Sequence, residues 1–323
     1  MRVVVCRQLG SLDNVVIEER DAPSPGPGQT VVRVRAAGVN YVDGLLCQGR
    51  YQLKPTPPFV PGGEIAGEIV ALGEGVHALG VGDRVLAMTG FGAFAEQVLI
   101  SADTLFRVPP GLGFGQAASC VQSYATAMFA LSRRTTVAGG EWVLVLGAGG
   151  GIGLATVDVA TAMGARVIAA ASSCDKLALA EQMGAVATIA YEDEDLKDRA
   201  RALSGGGVDV VVDPVGGRHS EPALRALAPF GRFLVLGFAS GPIATVPLNQ
   251  VLLRNRAVVG VDWGAWAMSD LAGNRALVEE VLAMMAAGRL HPTVPAQRAL
   301  DEAADAMRAL IDRQVTGKVV LIP

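Results

Sequence analysis

Residues 142–165 read WVLVLGAGGGIGLATVDVATAMGA. Trp142–Leu146 is an apolar run of strand length. Five glycines follow within seven residues (Gly147, Gly149, Gly150, Gly151 and Gly153), and Gly151–Met163 has the pattern of a helix. Glycines let the backbone turn sharply and approach a phosphate group closely, while the free N–H groups and positive dipole end of the following helix attract its charge. The spacing departs from G-x-G-x-x-G, because Ile152 holds the sixth place counted from Gly147. It fits G-x-x-G-x-x-G through Gly147, Gly150 and Gly153, or A-x-G-x-x-G through Ala148. A glycine run can also serve a tight turn that needs no ligand. Here the strand before, the helix after and the next strand at Arg166–Ala170 all fit a dinucleotide site, with Gly147, Gly150, Gly151, Ile152 and Gly153 around the pyrophosphate.

The alternation of strand and helix continues outward from this stretch. A helix at Gln116–Leu131 precedes it; Lys176–Met183 reads as a helix, and Ala187–Ile189, Val208–Val212, Arg232–Leu236 and Ala257–Val261 read as buried strands. Near-continuous apolar strands separated by helices specify a doubly wound parallel sheet covered on both faces. The texture differs before Pro109-Pro110. Short β-branched runs (Val3–Val5, Val15–Ile17, Thr30–Val34) and later segments (Glu64–Leu72, Asp83–Met88, Phe94–Ile100) lie between Gly- and Pro-rich turns, as in an antiparallel β domain. The tail from Ala276 reads as two amphipathic helices and a last strand, Lys318–Ile322, with no partner in the second domain, so it is expected to return to the first. The expected division is 1–120 with 265–323, and 121–264.

Composition narrows the function classes. With 51% hydrophobic and 18% charged residues in 323, the chain is folded, and two domains suit its length. Lys and Arg total 27 against 31 Asp and Glu, a net charge of −4 with no basic cluster, which speaks against nucleic acid as a partner. The four cysteines (Cys6, Cys47, Cys120, Cys174) have no metal-knot or disulfide-framework spacing, and the N-terminus lacks a signal-peptide apolar run. A cytoplasmic protein with reduced thiols and no membrane span is the expectation.

The cofactor's identity turns on the end of the second strand, where an NAD site places a carboxylate about twenty residues after the glycines. This chain has Ala170-Ala171-Ser172-Ser173-Cys174-Asp175-Lys176 there. No acid stands at the strand end, Ser172 leaves room, and Lys176 offers a cation for a 2′-phosphate, so NADPH is favoured. The competing reading has Lys176 as a solvated residue and Asp175 as a displaced ribose ligand.

Beyond the glycine loop, AAGVNYVDGLLCQGRY (36–51), PPFVPGGEIAGEIVALGEGV (57–76), GDRV (82–85), DPVGG (213–217) and the closing TGKVVLIP resemble the zinc-independent medium-chain dehydrogenases/reductases, in particular the NADPH:quinone oxidoreductases. The resemblance spans essentially the whole chain. It implies a GroES-like β domain, a Rossmann domain of doubly wound parallel sheet, and a homodimer. Zinc-dependent relatives keep a Cys, a Gly-His-Glu and a four-cysteine lobe where this chain has Gly38-Val39-Asn40, Gly62-Gly63-Glu64 and a cysteine-free segment, so no metal is expected.

The same resemblance carries over further residues. Lys176, Tyr191 and Arg313 match positions around the 2′-phosphate. Asn40, Thr126, Phe238 and Val261 match positions near the nicotinamide, although Val261 reads equally well as plain core. Hydride transfer to a conjugated carbonyl builds charge on its oxygen, so the site needs hydrogen-bond donors. Asn40, Tyr41 and Tyr51 are the catalytic candidates. Tyr51 resembles the proton donor of related enoyl reductases, and its alternative is a wall residue of an apolar pocket. Asp43 reads as structural. Trp263 and Trp266 are read either as stacking on a flat acceptor or as capping the domain boundary or a dimer contact, and His77, His219 and His291 as turn-like or solvent-facing. The expected substrate is a quinone or similar small conjugated carbonyl. The alternatives are an enoyl thioester reductase and an NADPH-binding protein without turnover, of crystallin or RNA-binding type.

Overall fold

A computed structural model describes residues 1–323 and separates them into two compact units, Met1–Gln122 with Thr293–Pro323, and Ser123–Pro292. The chain begins with β1 (Arg2–Cys6), β2 (Val15–Glu19), β3 (Gln29–Val39), α1 (Tyr41–Cys47), β4 (Glu64–Leu72), β5 (Arg84–Met88), β6 (Gln97–Ser101) and β7 (Phe106–Arg107). Helix α2 (Phe114–Phe129) then carries it into the second unit. There β8 (Trp142–Leu146), α3 (Gly151–Ala162), β9 (Arg166–Ala171), α4 (Cys174–Gln182), β10 (Ala187–Ala190), α5 (Leu196–Leu203) and β11 (Val208–Asp213) alternate. They are followed by α6 (Ser220–Ala226), β12 (Leu227–Val235), α7 (Asn249–Leu252), β13 (Ala257–Gly260), α8 (Trp263–Ser269) and α9 (Leu271–Ala286). The returning segment holds β14 (Ala296–Ala299), α10 (Ala303–Ile311) and β15 (Val319–Ile322). No helix is long and apolar enough to cross a membrane.

The second unit is a single parallel sheet in the order β10-β9-β8-β11-β12-β13. Counted from β8 this is the 3-2-1-4-5-6 order of the Rossmann fold, whose direction reverses beside the first strand. Burial explains the apolar sequence: Val143–Leu146 and Val167–Ala170 are completely removed from solvent, as strands covered on both faces must be.

The first unit is built on a sheet ordered β14-β15-β3-β4-β5-β7, with β6 also paired to β3 and a separate β1–β2 pair. The unpartnered last strand of the sequence reading is β15, which pairs antiparallel with β3. The return comes later than the expected residue 265. Helices α8 and α9 stay with the second unit because their side chains are bound there: Trp266 stacks on Phe129 with ring centroids 4.7 Å apart, Trp263 Nε1 donates to Asn274 Oδ1, and Arg133 pairs with Glu280.

Candidate functional site

In the second unit the glycine loop joins β8 to α3, and its glycines answer different needs. Gly147 has a φ of 59°, and a Cβ there would lie 2.7 Å from Val215 Cγ2. A Cβ on Gly153 would lie 2.2 Å from the Gly147 carbonyl oxygen, so the first turn of α3 packs directly on the loop backbone. At Gly150, the N-cap of α3, a Cβ would meet nothing closer than 3.5 Å. The protein itself does not require glycine there, and the space a side chain would fill remains open beside the helix N-terminus. Gly150 has no side chain to cap α3, so the first-turn N–H groups, including those of Gly151 and Ile152, lack a side-chain acceptor. These features fit a pyrophosphate.

Gly149 serves a different purpose. A Cβ at this position would sit 2.4 Å from Lys176 Cβ and 2.6 Å from its Cγ, so the Lys176 stem lies against the loop. Lys176 Nζ then reaches Ser172 Oγ at 3.4 Å. Ser172 follows directly on β9, and the Tyr191 N–H after β10 bonds the Ala171 carbonyl. Ser172, Lys176 and Tyr191 thus gather at the carboxyl ends of adjacent strands, where nucleotide ligands bind in sheets of this type. The Tyr191 and His219 rings pack tilted, with centroids 4.2 Å apart, and His219 closes the short turn Gly217–His219. Beside them the DPVGG turn is held by buried Asp213, whose Oδ1 accepts from the Val215 and Gly216 N–H groups and whose Oδ2 accepts from Ser220 Oγ.

In the first unit, strand register assembles a buried polar group. β15 pairs with β3 so that Val319 faces Val39, and β3 pairs with β4 so that Gly38 faces Glu64. Lys318, Asn40 and Glu64 therefore meet at neighbouring strand ends, all buried. Lys318 Nζ donates to Asn40 Oδ1 at 2.5 Å and Glu64 Oε1 at 3.2 Å; Asn40 Nδ2 donates to the same Oε1 at 2.9 Å. Glu64 Oε2 accepts from the Gln122 N–H. Gly38 makes room for this arrangement, since a Cβ there would lie 2.1 Å from the Ala118 carbonyl oxygen and 2.7 Å from Glu64 Cγ.

Asn40 is also the N-cap of α1 in a capping box, its N–H donating to Asp43 Oδ2 at 2.7 Å. The other carboxyl oxygen of Asp43 is buried without a hydrogen-bond partner. Burial, reinforced by the Glu64 carboxylate, pushes the Asp43 carboxyl up to about 7, against the opposing pull of the Asn40 N–H and Lys318. The structural reading of Asp43 agrees with this geometry.

The alcohol dehydrogenase GroES-like domain family matches residues 26–110, and the zinc-binding dehydrogenase family matches residues 151–287. Quinone oxidoreductase-like protein 2 of Rattus norvegicus is 40% identical over 99% of this chain and 91% of its own length. The chain belongs to the quinone oxidoreductase family of the medium-chain dehydrogenases/reductases. Two solved structures of similar overall form are an Escherichia coli quinone oxidoreductase complexed with NADPH (27% identity, TM-score 0.91) and an NAD-dependent alcohol dehydrogenase (30% identity, TM-score 0.92). Each covers all of this chain and is itself covered completely.

As a quinone oxidoreductase family member, the chain has no group of three or more His, Cys, Asp or Glu side chains placed to hold a metal ion. The positive charge facing Glu64 is the Lys318 ammonium. The remaining sequence candidates are dispersed. Tyr41 is the first residue of α1, and Tyr51 lies half-buried against the apolar core of the first unit. A hollow of about 490 Å³ in that unit is lined by Met1, Val3, Phe91 and Val98 among others, and by none of the three catalytic candidates.

Thr126 is half-buried on α2, Val261 is buried, and Phe238 packs against the Gly216 turn. Arg313 is exposed just beyond α10, in the first unit, whereas Lys176 and Tyr191 lie in the second. Trp263 and Trp266 are engaged within the second unit by Asn274 and Phe129. Sequence reasoning missed Lys318. Its signal was a lone cation beside the apolar strand VVLI.

Proposed function

We propose that this chain is an NADPH-dependent oxidoreductase that reduces quinones or similar conjugated carbonyl compounds without zinc. The observation that carries the reading is Lys176: its stem seats on Gly149 and its ammonium meets Ser172 at a strand end that lacks an acidic residue. That is a 2′-phosphate site, because a carboxylate there would repel the phosphate while an ammonium attracts it. The NADPH-complexed quinone oxidoreductase of Escherichia coli supports the choice of nucleotide, and the rat quinone oxidoreductase-like protein supports the acceptor class.

NADPH, when bound, supplies the hydride, so that acceptor, NADPH and one proton become reduced acceptor and NADP⁺. The first-turn N–H groups of α3 would hold the pyrophosphate, and Ser172, Lys176 and Tyr191 would hold the 2′-phosphate. Asn40 stands at the acceptor. Tyr51 donates a hydrogen bond or proton to enone-type acceptors, whereas a quinone takes its proton from solvent. The absence of a ligand cluster and the ammonium at Glu64 support zinc independence.

A homodimer is part of the proposal. β13 is an edge strand with Val258 exposed, and Phe230, Leu248, Leu252 and Leu253 are more than two-thirds exposed in the same unit, an apolar surface of the kind that marks association. None of the four cysteines is in a disulfide, which supports a cytoplasmic setting.

The test is NADPH oxidation against a panel of quinones, enals and enoyl-CoA esters. Quinone or enal reduction is expected, with no stoichiometric zinc by metal analysis. Activity confined to thioesters would replace this reading with enoyl reduction.

A further inference from the structure

The buried group around Asn40 contains more charge than a structural hydrogen-bond network needs. An ammonium and a carboxylate taken out of water are expensive, and a pair of this kind rarely improves on apolar packing of the same volume. Its arrangement nevertheless has a definite chemical consequence for one side chain.

Lys318 can only donate, and an ionised Glu64 can only accept. The Asn40 amide between them therefore has a single permitted orientation: Oδ1 on the ammonium at 2.5 Å and Nδ2 on the carboxylate at 2.9 Å. Rotating the amide by half a turn would set its NH₂ against the ammonium and its oxygen against the carboxylate. The two ends of an amide are nearly the same shape, so only its hydrogen-bond partners set its orientation, and here both partners are charged.

The backbone of Asn40 is fixed independently by Asp43 Oδ2, and Glu64 is itself held by Lys318 and the Gln122 N–H. Nδ2 retains one hydrogen beyond the bond to Glu64. The ammonium on Oδ1 draws electron density out of the amide and strengthens that N–H as a donor, as linked hydrogen bonds polarise one another.

We propose that Lys318 and Glu64 form a charge lock that orients and polarises the Asn40 amide, making Asn40 a hydrogen-bond donor to the carbonyl oxygen of the acceptor. The acceptor part rests on the function proposed above; the lock does not. Lys318 is then a positioning residue that acts through Asn40. A donor fixed before the reaction stabilises the charge that develops on the acceptor oxygen without reorganising.

The test combines a spectrum with a kinetic cycle. The chain has five asparagines, so ¹⁵N-asparagine labelling gives few side-chain amide pairs, and Asn40 is assigned by the pair missing in Asn40→Asp. In the wild-type protein the Asn40 pair is expected to stand apart from the others and to exchange slowly. Because Lys318→Met leaves Glu64 buried without its partner, Lys318→Met/Glu64→Gln, which removes both charges, is measured beside it. In the double variant the Asn40 amide is expected to exchange about tenfold faster or more, corresponding to loss of a charge-assisted hydrogen bond.

With a quinone acceptor, the double variant is expected to lower kcat about tenfold to a hundredfold while the KM for NADPH stays within about twofold, as for loss of a preorganised donor. The same double change made in an Asn40→Ala background is expected to have little further effect. An Asn40 signal unmoved by the double variant overturns the lock. A full-sized kcat loss that persists in Asn40→Ala overturns action through Asn40. If the wild-type protein reduces no conjugated acceptor, the proposed function and the donor role fail together, and the spectrum still decides the lock.

Discussion

Lys176 shows how much of the nucleotide site rests on the absence of one Cβ. Its stem occupies the space that a side chain on Gly149 would need, so Gly149→Ala is expected to push Lys176 off the loop while leaving the first-turn N–H groups of α3, proposed above for the pyrophosphate, in place. The KM for NADPH should rise about tenfold, the scale of one lost charge-assisted phosphate contact, with the KM for NADH nearly unchanged. Steady-state kinetics with both nucleotides checks this. Asp43 is a second case. Its folded-state value near 7 lies far above the ordinary 3.8, so the folded protein holds this proton where the unfolded chain has released it. This contribution to stability falls as pH rises from about 4 to about 7 and is flat above that. Between about pH 5 and pH 8 the loss is on the order of 2–3 kcal/mol from this group. Asp43→Asn keeps an acceptor for the Asn40 N–H and should remove most of that pH dependence, measured as Tm at the two pH values; an unchanged dependence would contradict the assignment.

At the scale of elements, β3 determines where the buried charges meet. Its pairing with β15 on one side and β4 on the other aligns Lys318, Asn40 and Glu64, and its passage under α2 demands glycine at position 38. Gly38→Ala would force a Cβ to 2.1 Å from the Ala118 carbonyl oxygen and should cost about 1–3 kcal/mol or more in urea unfolding, the usual range for overpacking. Gly63→Ala, whose Cβ would meet nothing closer than 3.4 Å, is the control and should leave stability unchanged or raise it by about 1 kcal/mol or less.

Much of this layer was legible beforehand. β8, α3 and β9 follow from the run WVLVLGAGGGIG and its flanks, because strand, glycine loop and helix each leave a local pattern. Lys318 did not reveal itself as a partner of Asn40, since 278 residues separate them and antiparallel register is a tertiary property. The same limit placed the chain's return at 265: the aromatic contacts that keep α8 and α9 with the second unit involve Phe129, far earlier in sequence.

At the scale of the whole molecule, the modest net charge of −4 conceals two local cations, Lys176 beyond the end of β9 and Lys318 buried at the start of β15. The exposed apolar surface around β13 should bury itself between two copies. Light scattering on a size-exclusion column is expected to report twice the chain mass, and Val258→Asp with Leu252→Asp to shift it to one; a monomeric wild-type protein would contradict this. The central claim concerns the nucleotide and the acceptor together. It is tested most directly by the kcat/KM ratio of NADPH to NADH with 1,4-benzoquinone, for the wild-type protein and Lys176→Glu. A wild-type preference for NADPH of about tenfold or more, corresponding to about 1.4 kcal/mol or more, is expected to vanish or invert in Lys176→Glu. Equal ratios in the two proteins, or no quinone-dependent oxidation by the wild type, would contradict the account.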